Sequence, residues 1–177
     1  MTKYDQMDEM LKKNNGVIRT ADILAAGVSK TYFAEYISHK KLERIAHGIY
    51  ISRDVWHDSM FFLQLRYEQS IFSHDTALYL HDLTDREPIQ LTITVKTGYN
   101  TSHFRKLNVK AYTIQKDLHQ LGMITLKTPY GNPVRAYNAE RTICDIVRSR
   151  KKIEIQTLQN ALSSFVVRKD KDLHLLM

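Results

Sequence analysis

The stretch "GVSKTYFAEYISHKKLERIAHGIYI", from Gly27 to Ile51, combines a helical pattern with a hairpin pattern. Ser29 is suited to cap a helix that runs from Lys30 to about Lys41, because a hydroxyl before a helix accepts from a free backbone N–H. Two strand-like runs, "LERIA" and "IYIS", then flank the dipeptide His47-Gly48. Glycine at the second turn position permits the positive φ of a tight hairpin, so the stretch predicts a helix followed by a β-hairpin.

Two further helices are predicted upstream of this stretch. The first covers residues 3–14, where Tyr4, Met7 and Leu11 form an apolar stripe at helical spacing. The second is short and covers Thr20 to Gly27, with Thr20 as its N-cap and Gly27 as its stop. Because a tight turn joins the second and third helices, the sequence predicts a helix-turn-helix motif. With the β-hairpin that follows, the predicted motif is a winged helix-turn-helix.

The third helix has two chemically different faces. Phe33 and Ile37 lie four residues apart and predict the buried face, with Ala34 beside them. The predicted outer face is polar and aromatic and consists of Thr31, Tyr32, Glu35, Tyr36, Ser38 and His39. Side chains of these types can reach base edges and phosphates in a DNA major groove, and a merely solvated face is the alternative.

The charge of the chain indicates a polyanionic partner. The formal net charge of +7 favours nucleic acid or an anionic membrane surface, although a merely basic protein is the alternative. The residues predicted to bind DNA lie around the second and third helices and on the wing: Arg19, Thr20, Ser29, Lys30, Thr31, Tyr32, Glu35, Tyr36, His39, Lys40, Lys41, Arg44 and His47.

A second possible nucleic-acid contact lies further along the chain, at the end of a predicted helix. Its members are the four cations Arg148, Arg150, Lys151 and Lys152. Cations are also favoured at a helix C-terminus by the helix dipole, and this structural role is the alternative.

The pattern of the sequence changes near residue 54. Residues 1–53 predict the winged helix-turn-helix domain and residues 54–177 predict a mixed α/β domain, so the expected fold class is α+β. In the second part, helices and strands are predicted within residues 58–69, 70–83, 91–95, 109–114, 123–137, 138–152 and 155–167. This order is too irregular for a doubly wound parallel sheet.

Several blocks of the sequence resemble the AbiEi antitoxins of the AbiE abortive-infection systems. The wing of that family commonly reads Leu-x-Arg-Val-x-Arg-Gly-Val-Tyr, which Leu42, Arg44, Gly48 and Tyr50 match. His47 departs from it and replaces a permanent charge with a side chain type that titrates near neutrality. The blocks "IFSHDTALYLHDL", "PIQLTITV", "TPYGNPVRAYNAERTICDIVR" and "LQNALSSF" follow in the family's order, so the resemblance covers nearly the whole chain.

The resemblance implies an antitoxin of a type IV toxin–antitoxin system that acts in phage defence. The N-terminal domain is expected to bind inverted repeats in the promoter of its own operon and to repress it. The C-terminal domain is expected to counteract a nucleotidyltransferase toxin without a stable complex between the two proteins. Members of the family usually extend beyond the point that corresponds to Met177, where this chain ends within an apolar, helix-like run.

Neither catalysis nor a cofactor is indicated by a residue pattern. The adjacent Ser73, His74 and Asp75 cannot aim at one another as a catalytic triad requires, and N-capping by Ser73 or Asp75 is expected instead. The eight histidines lack metal-ligand spacing, and His74 and His81 are expected to be exposed. Because no phosphate-binding glycine motif occurs either, we expect no metal and no cofactor.

The predicted helix "NAERTICDIVRSRKK" contains a possible functional cluster. Arg141 and Asp145 lie four residues apart, which predicts an ion pair, and Glu140 suits the positive N-terminal end of the helix. Asn138 is suited to cap this helix. Its predicted core stripe comprises Ala139, Ile143, Ile146 and Val147. We expect the cluster to be structural, and two alternatives to the antitoxin remain: an enzyme acting on nucleic acid or on the toxin, and a ligand-responsive winged-helix regulator with no toxin partner.

The ends and the hydrophobicity of the chain favour a cytoplasmic protein. The first ten residues are polar and acidic, which is not typical of a signal peptide. The longest apolar runs are too short to span a bilayer. The single cysteine, Cys144, excludes an internal disulfide and is expected to pack as a small hydrophobe.

Overall fold

The N-terminal part of the chain folds as a winged helix-turn-helix. The computed structural model describes residues 2–176. The elements of this part are the helices α1 (Lys3–Lys13), α2 (Thr20–Ala25), α3 (Lys30–Lys40) and α4 (Ser59–Arg66) and the strands β1 (Val17–Arg19), β2 (Glu43–Ala46) and β3 (Ile49–Ile51). The predicted α+β class, the first three helices and the hairpin are confirmed.

Local contacts explain where the helices begin. Thr2 and Asp5 form a capping box at α1, in which the Asp5 amide donates to the Thr2 hydroxyl and the Thr2 amide donates to the Asp5 carboxylate. Ser29 caps α3 by accepting from the amide three residues further on, at 3.3 Å, as predicted. The predicted cap at Thr20 is wrong, because Arg19 occupies the N-cap position of α2 and no side chain caps that helix.

A three-stranded antiparallel sheet in the order β1-β3-β2 forms the wing. β1, which the sequence pattern did not predict, pairs Ile18 with Tyr50 on β3. Arg44 on β2 pairs with the other side of Tyr50, and a bulge follows it. Gly48 adopts φ +69 at the turn, as the hairpin prediction requires. The amide of Thr20 donates to the Gly48 carbonyl at 2.8 Å, which ties the wing turn to the start of α2.

Both faces of the wing sheet pack against helices. One apolar cluster lies between α1, α2, α3 and the sheet and contains Met7, Ile18, Ile23, Val28, Phe33, Tyr36 and Leu42. A second cluster packs α4 on alternate strand positions and contains Val17, Ile49, Ile51, Phe62 and Leu65. Because α4 packs on the sheet, the first compact unit is Met1–Arg66 and the second is Tyr67–Met177, so the division falls later than residue 53.

The second unit contains a five-stranded mixed sheet. Its strands are β4 (Ile71–Phe72), β5 (Leu91–Lys96), β6 (Val109–Ile114), β7 (Met123–Lys127) and β8 (Pro133–Tyr137), and its helices are α5 (His74–Leu80), α6 (Ala139–Arg148) and α7 (Ile155–Val167). Short 3₁₀ helices cover Ser102–Leu107, Lys116–Leu118, Arg150–Lys152 and Leu173–Leu176. The strand order is β6-β5-β4-β8-β7, with two parallel and two antiparallel pairs, so the sheet is not doubly wound and parallel.

One apolar cluster joins the helices of the second unit. It contains Leu78, Leu83, Ala139, Ile143, Ile146, Ala161 and Phe165. The predicted core stripe of α6 is wrong only for Val147, which is 40% exposed because it lies one position past Ile146 and turns toward solvent. Asn138 caps α6 as predicted, by accepting from the Arg141 amide at 2.9 Å. Within residues 2–176, no helix has the length and apolar character needed to cross a membrane.

Candidate functional site

The solvent-facing side of α3 differs from the predicted one. Tyr36 is fully buried and Tyr32 is half-buried, whereas Ala34, which was expected to be buried, is exposed. The exposed stripe of α3 consists of Thr31, Ala34, Glu35 and Ser38, which recur at steps of one helical turn. The outer face is therefore rotated away from the tyrosines, because these pack on α1.

The burial of Tyr36 follows from a contact with α1. Its hydroxyl donates to Asp8 Oδ1 at 2.6 Å, and Lys40 Nζ lies 2.8 Å from the same oxygen. The bonds from Lys40 and Tyr36 hold the pKa of Asp8 below its usual range, and burial together with the Asp8 contact raises the pKa of Tyr36. Lys40, predicted to bind DNA, is thus already paired with a carboxylate.

Tyr32 and His39 also contact α1. Their rings meet the ring of Tyr4 edge-on, with 5.3 Å and 5.7 Å between centroids. Lys3 Nζ lies 5.8 Å from the centroid of Tyr32. These aromatic side chains form the edge of the contact between α1 and α3, and His39 is the exposed member beside the stripe.

Two lysines flank the exposed stripe of α3. Lys30 lies at its N-terminal end and Lys41 at its C-terminal end, and both are exposed. Lys41 ends the helix in the left-handed conformation, with φ 53 and ψ 41. Most side chains of the stripe between them are short, since Thr31, Ala34 and Ser38 are all small residues. Small side chains allow a helix to approach a groove closely, and hydroxyls can bond to base edges.

The wing turn brings Arg44 and His47 together. Arg44 Nη2 lies 3.1 Å from His47 Nδ1, and Arg44 Nε donates to the Ala46 carbonyl at 3.2 Å. Both side chains are exposed, so the turn presents a guanidinium and an imidazole to solvent. Arg19 and Thr20 are half-buried where β1 meets α2, next to this turn.

The second predicted nucleic-acid contact surrounds the end of α6. Its four exposed cations are Arg148, Arg150, Lys151 and Lys152. Arg148 Nη1 lies 3.8 Å from Asp145 Oδ1, and Arg150 Nη1 donates to the Val147 carbonyl at 3.3 Å. A cation on a carbonyl at a helix C-terminus is stabilised by the helix dipole, so Arg150 has the structural role that was the alternative.

His74 is the centre of a buried polar cluster, and the expectation that it and His81 are exposed is wrong. The two residues are 4% and 9% exposed. His74 Nδ1 lies 3.0 Å from Ser73 Oγ, and its Nε2 lies 3.1 Å from Ser149 Oγ. Its ring stacks on Tyr112 with 3.6 Å between centroids and 8° between planes. Sequence reasoning missed this cluster because Ser149 is 75 positions away along the chain.

Ser73 does not cap α5 in the expected way. It occupies the N-cap position, but its side chain makes no capping bond. Its hydroxyl accepts from Thr94 Oγ1 at 2.8 Å, and its carbonyl accepts from Thr92 Oγ1. The hydroxyls of β5 therefore surround the start of α5, where His74 has a left-handed backbone with φ 47, which is uncommon for a residue other than glycine.

Burial keeps the ring of His74 neutral. It lowers the pKa of His74 to about 3, and the charges of Lys110, Arg141 and Arg148 act in the same direction. An imidazole with so low a pKa is a weak general base at neutral pH. Both ring nitrogens face serine hydroxyls, so the arrangement differs from a Ser–His–carboxylate triad. Within residues 2–176, no group of three or more His, Cys, Asp or Glu side chains is placed to hold a metal ion.

The predicted ion pair on α6 is confirmed, and it is buried. Arg141 Nε lies 3.1 Å from Asp145 Oδ2, and the two side chains are 11% and 7% exposed. Arg141 Nη1 also donates to the carbonyls of Leu118 and Leu121. Burial raises the pKa of Asp145, and Arg141 acts against it. Glu140 is buried in the first turn of α6, where the helix dipole favours a carboxylate.

The first unit has the architecture of the helix-turn-helix transcriptional regulators, with an exposed polar stripe on its third helix and a β-hairpin wing. Residues 5–52 match a protein-family model that is described as a transcriptional regulator, AbiEi antitoxin. Residues 5–52 are therefore similar to the AbiEi regulator domains, in agreement with the resemblance predicted for that part of the chain.

The fold of the chain is also similar to that of a solved structure. The crystal structure of the RV2827C protein from Mycobacterium tuberculosis superposes with a TM-score of 0.56 and 12% sequence identity, over 92% of this chain and 72% of the other. At this identity the similarity supports the fold alone. No curated protein shows significant sequence similarity to the chain.

Proposed function

We propose that this protein is an AbiEi antitoxin and the autorepressor of a toxin–antitoxin operon that acts in phage defence by abortive infection. Its first unit binds inverted repeats in its own promoter. Its second unit counteracts a nucleotidyltransferase toxin without forming a stable complex with it. The observation that carries this proposal is the match of residues 5–52 to the AbiEi regulator model, on a winged helix-turn-helix in a chain of net charge +7.

In this proposal the exposed stripe of α3 reads the major groove. Hydroxyls and a carboxylate can bond to base edges, and the stripe offers both at Thr31, Glu35 and Ser38. Lys30 and Lys41 at its ends contact phosphates, because each is exposed and carries a charge that can displace a counterion.

The wing supplies the second set of backbone contacts. Arg44 and His47 are exposed at the turn and lie within hydrogen-bonding distance of each other, so a phosphate that meets one meets both. Tyr36 and Lys40 take no direct part in this proposal, since their polar atoms bond to Asp8. Their role is to fix the angle of α3 against α1.

A binding measurement with promoter DNA tests the repressor half of the proposal. Fluorescence anisotropy should show tighter binding to the region upstream of the gene than to an unrelated duplex of equal length. Lys30→Gln should weaken binding to both duplexes about equally, whereas Ser38→Ala should reduce the preference for the promoter. Lys13→Gln, which removes an exposed charge at the end of α1, is the matched control. Equal affinity of the unaltered protein for both duplexes would refute the repressor half.

A growth assay tests the antitoxin half. The proposal expects a nucleotidyltransferase gene next to the gene of this chain. Cells that express that toxin gene should stop growing, and co-expression of this chain should restore growth. A variant with Lys30→Gln and Ser38→Ala should still restore it when both genes are under foreign promoters, because the second unit carries the neutralising activity. Promoter binding without any rescue of growth would refute the antitoxin half and favour a ligand-responsive regulator with no toxin partner.

A further inference from the structure

Where β5 and β6 pair, one face of the second sheet is polar, whereas the packed face of a sheet is normally apolar. Thr92 and Thr94 follow each other on that face of β5, and Lys110 and Tyr112 lie beside them in register on β6. His74 covers this face by stacking on Tyr112. We propose that this polar face, together with Arg141 and Arg148 of α6, is a binding site for a phosphate monoester; below it is called the His74 site.

Two buried donors of the His74 site have no acceptor within the described residues. They are the Tyr112 hydroxyl on β6 and Arg141 Nη2 on α6, although Nε and Nη1 of the same guanidinium are bonded. A buried polar group without a partner costs about 1 to 3 kcal/mol, so native proteins rarely keep one without a reason. A phosphate group offers oxygen acceptors of the kind that both donors lack.

The charge around the His74 site selects an anion. Lys110, Arg141 and Arg148 all lie close enough to His74 to disfavour its protonation, and Asp145 is the carboxylate paired with the two arginines. Asp75 lies close enough to Lys110 for their charges to interact, so three cations against two carboxylates leave one surplus positive charge on a partly desolvated surface. Arginine guanidinium groups bind phosphate through paired hydrogen bonds, which makes this anion the best chemical match.

The exposure of the site favours a terminal phosphate over an internal one. The Arg148 side chain is 69% exposed, Lys110 and Tyr112 are half-buried, and the Arg141 side chain is only 11% exposed. A phosphate with a single substituent can reach inward to Arg141 while its remaining part stays near Arg148. A phosphodiester inside a strand carries substituents on both sides and cannot enter as far.

His74 forms a rigid wall of the site. Serine hydroxyls face both ring nitrogens, at 3.0 and 3.1 Å, and the ring lies flat on Tyr112. The backbone of His74 has φ 47, and residues other than glycine hold such a conformation mainly where the surroundings enforce it. This wall of the site is therefore in place before any ligand arrives, which lowers the entropic cost of binding, whereas the buried Tyr112 hydroxyl and Arg141 Nη2 have to become accessible to the phosphate.

Isothermal titration calorimetry of the full chain with orthophosphate and with adenosine 5′-monophosphate tests the site. Both should bind, and adenosine should not. Tyr112→Phe removes one donor, keeps the ring stack, and should weaken binding about five- to tenfold. Arg148→Gln should weaken it about threefold or more. Arg150→Gln removes the same charge two residues away, outside the site, and should leave the affinity unchanged.

A second pair of titrations identifies the source of the phosphate. A trinucleotide with a 5′-phosphate that binds more tightly than adenosine 5′-monophosphate assigns the site to a nucleic-acid end, and the reverse order assigns it to a free nucleotide. The absence of heat with either phosphate, equal affinity of the parent and Tyr112→Phe proteins, or binding of adenosine as tight as that of its monophosphate would each overturn the proposal. None of these results depends on promoter binding by the first unit, so both proposals can fail separately.

Discussion

Asp8 and Asp145 both accept from cations, and they differ in their exposure to solvent. In the first unit, Asp8 pairs with Lys40, and both side chains are 35% exposed. In the second unit, Asp145 pairs with Arg141, and these side chains are 7% and 11% exposed. Water screens the first pair, whereas the second pair must be satisfied almost wholly by the protein.

This difference separates polar groups that orient a surface from polar groups that hold a core together. The Asp8 pair lies at the edge of the α1–α3 contact and can be lost at small cost, because water replaces each partner. The Asp145 pair cannot be divided, since an isolated buried charge is expensive. Substitutions at the buried pair should therefore reduce the free energy of unfolding by much more than substitutions at the exposed pair.

Removing the charge of Asp145 should have the largest effect. Asp145→Asn leaves the buried Arg141 guanidinium without its counter-charge, and the free energy of unfolding should fall by about 3 to 5 kcal/mol in urea denaturation. Glu154→Gln is the matched control, because it breaks a pair with Arg86 whose side chains are 62% and 66% exposed. The control should cost less than about 1 kcal/mol. Losses of equal size would remove the distinction between the two pairs.

The acid sensitivity of the second unit should come largely from His74. Its pKa is lowered to about 3 in the folded chain against an ordinary value of 6.5, so the unfolded chain binds the proton more readily between these values. Its contribution to stability is complete above about pH 6.5 and declines as the pH falls toward 3. His74→Asn introduces another residue type that tolerates positive φ. Between about pH 7 and pH 4, the free energy of unfolding of this variant should fall by about 3 kcal/mol less than that of the parent protein.

Denaturant titrations of the parent and of His74→Asn across this pH range provide the measurement. The two proteins share all other titrating groups, including His81 and Asp8, so the difference between their curves isolates His74. Parallel curves would mean that the ring is already accessible to protons in the folded chain.

Removing the Tyr36 hydroxyl should have an intermediate effect. Tyr36→Phe leaves Asp8 without one of its two donors, and a hydrogen bond to a charged group contributes about 1.5 to 3 kcal/mol. Because the pKa of Asp8 is lowered, this contribution is present above about pH 4 and is lost as the pH falls through the lowered pKa. Tyr50→Phe serves as the control, since the ring of Tyr50 packs edge-on against Phe33 through its carbon atoms. A loss no greater than that of the control would show that the Asp8 contact does not fix α3.

Most elements of the fold could be predicted from the sequence because their patterns are local. Caps, glycine stops and apolar periodicity identified α1 to α3, the hairpin and α6. β1 escaped prediction because it has three residues and exists only through its pairing with β3, more distant in the chain. Pairing of that kind leaves no periodic trace in so short a segment.

The candidate sites were predictable only in part, for the same reason. The outer face of α3 was misplaced because Tyr36 bonds to Asp8, which lies 28 positions earlier, and a tyrosine suits either a buried or an exposed position. The residue types around His74 suggested a helix cap, but the partners of the His74 ring, Tyr112 and Ser149, come from distant elements. Contacts between distant residues, and not propensities, decide both sites.

The smallest effect should separate two lysines of α3 that are alike in sequence. Lys30 is exposed at the N-terminal end of the stripe, whereas Lys40 Nζ is within 2.9 Å of both Asp8 oxygens. A lysine that contacts a phosphate adds about 0.9 to the slope of the logarithm of the binding constant against the logarithm of salt concentration. Lys30→Gln should therefore lower that slope by about 0.9, and Lys40→Gln by clearly less, because Asp8 already neutralises Lys40. Anisotropy titrations with promoter DNA at four salt concentrations give both slopes. Equal changes in slope would mean that DNA displaces Asp8 from Lys40. Lys40 would then contact the DNA directly, in addition to orienting the helix in the free protein.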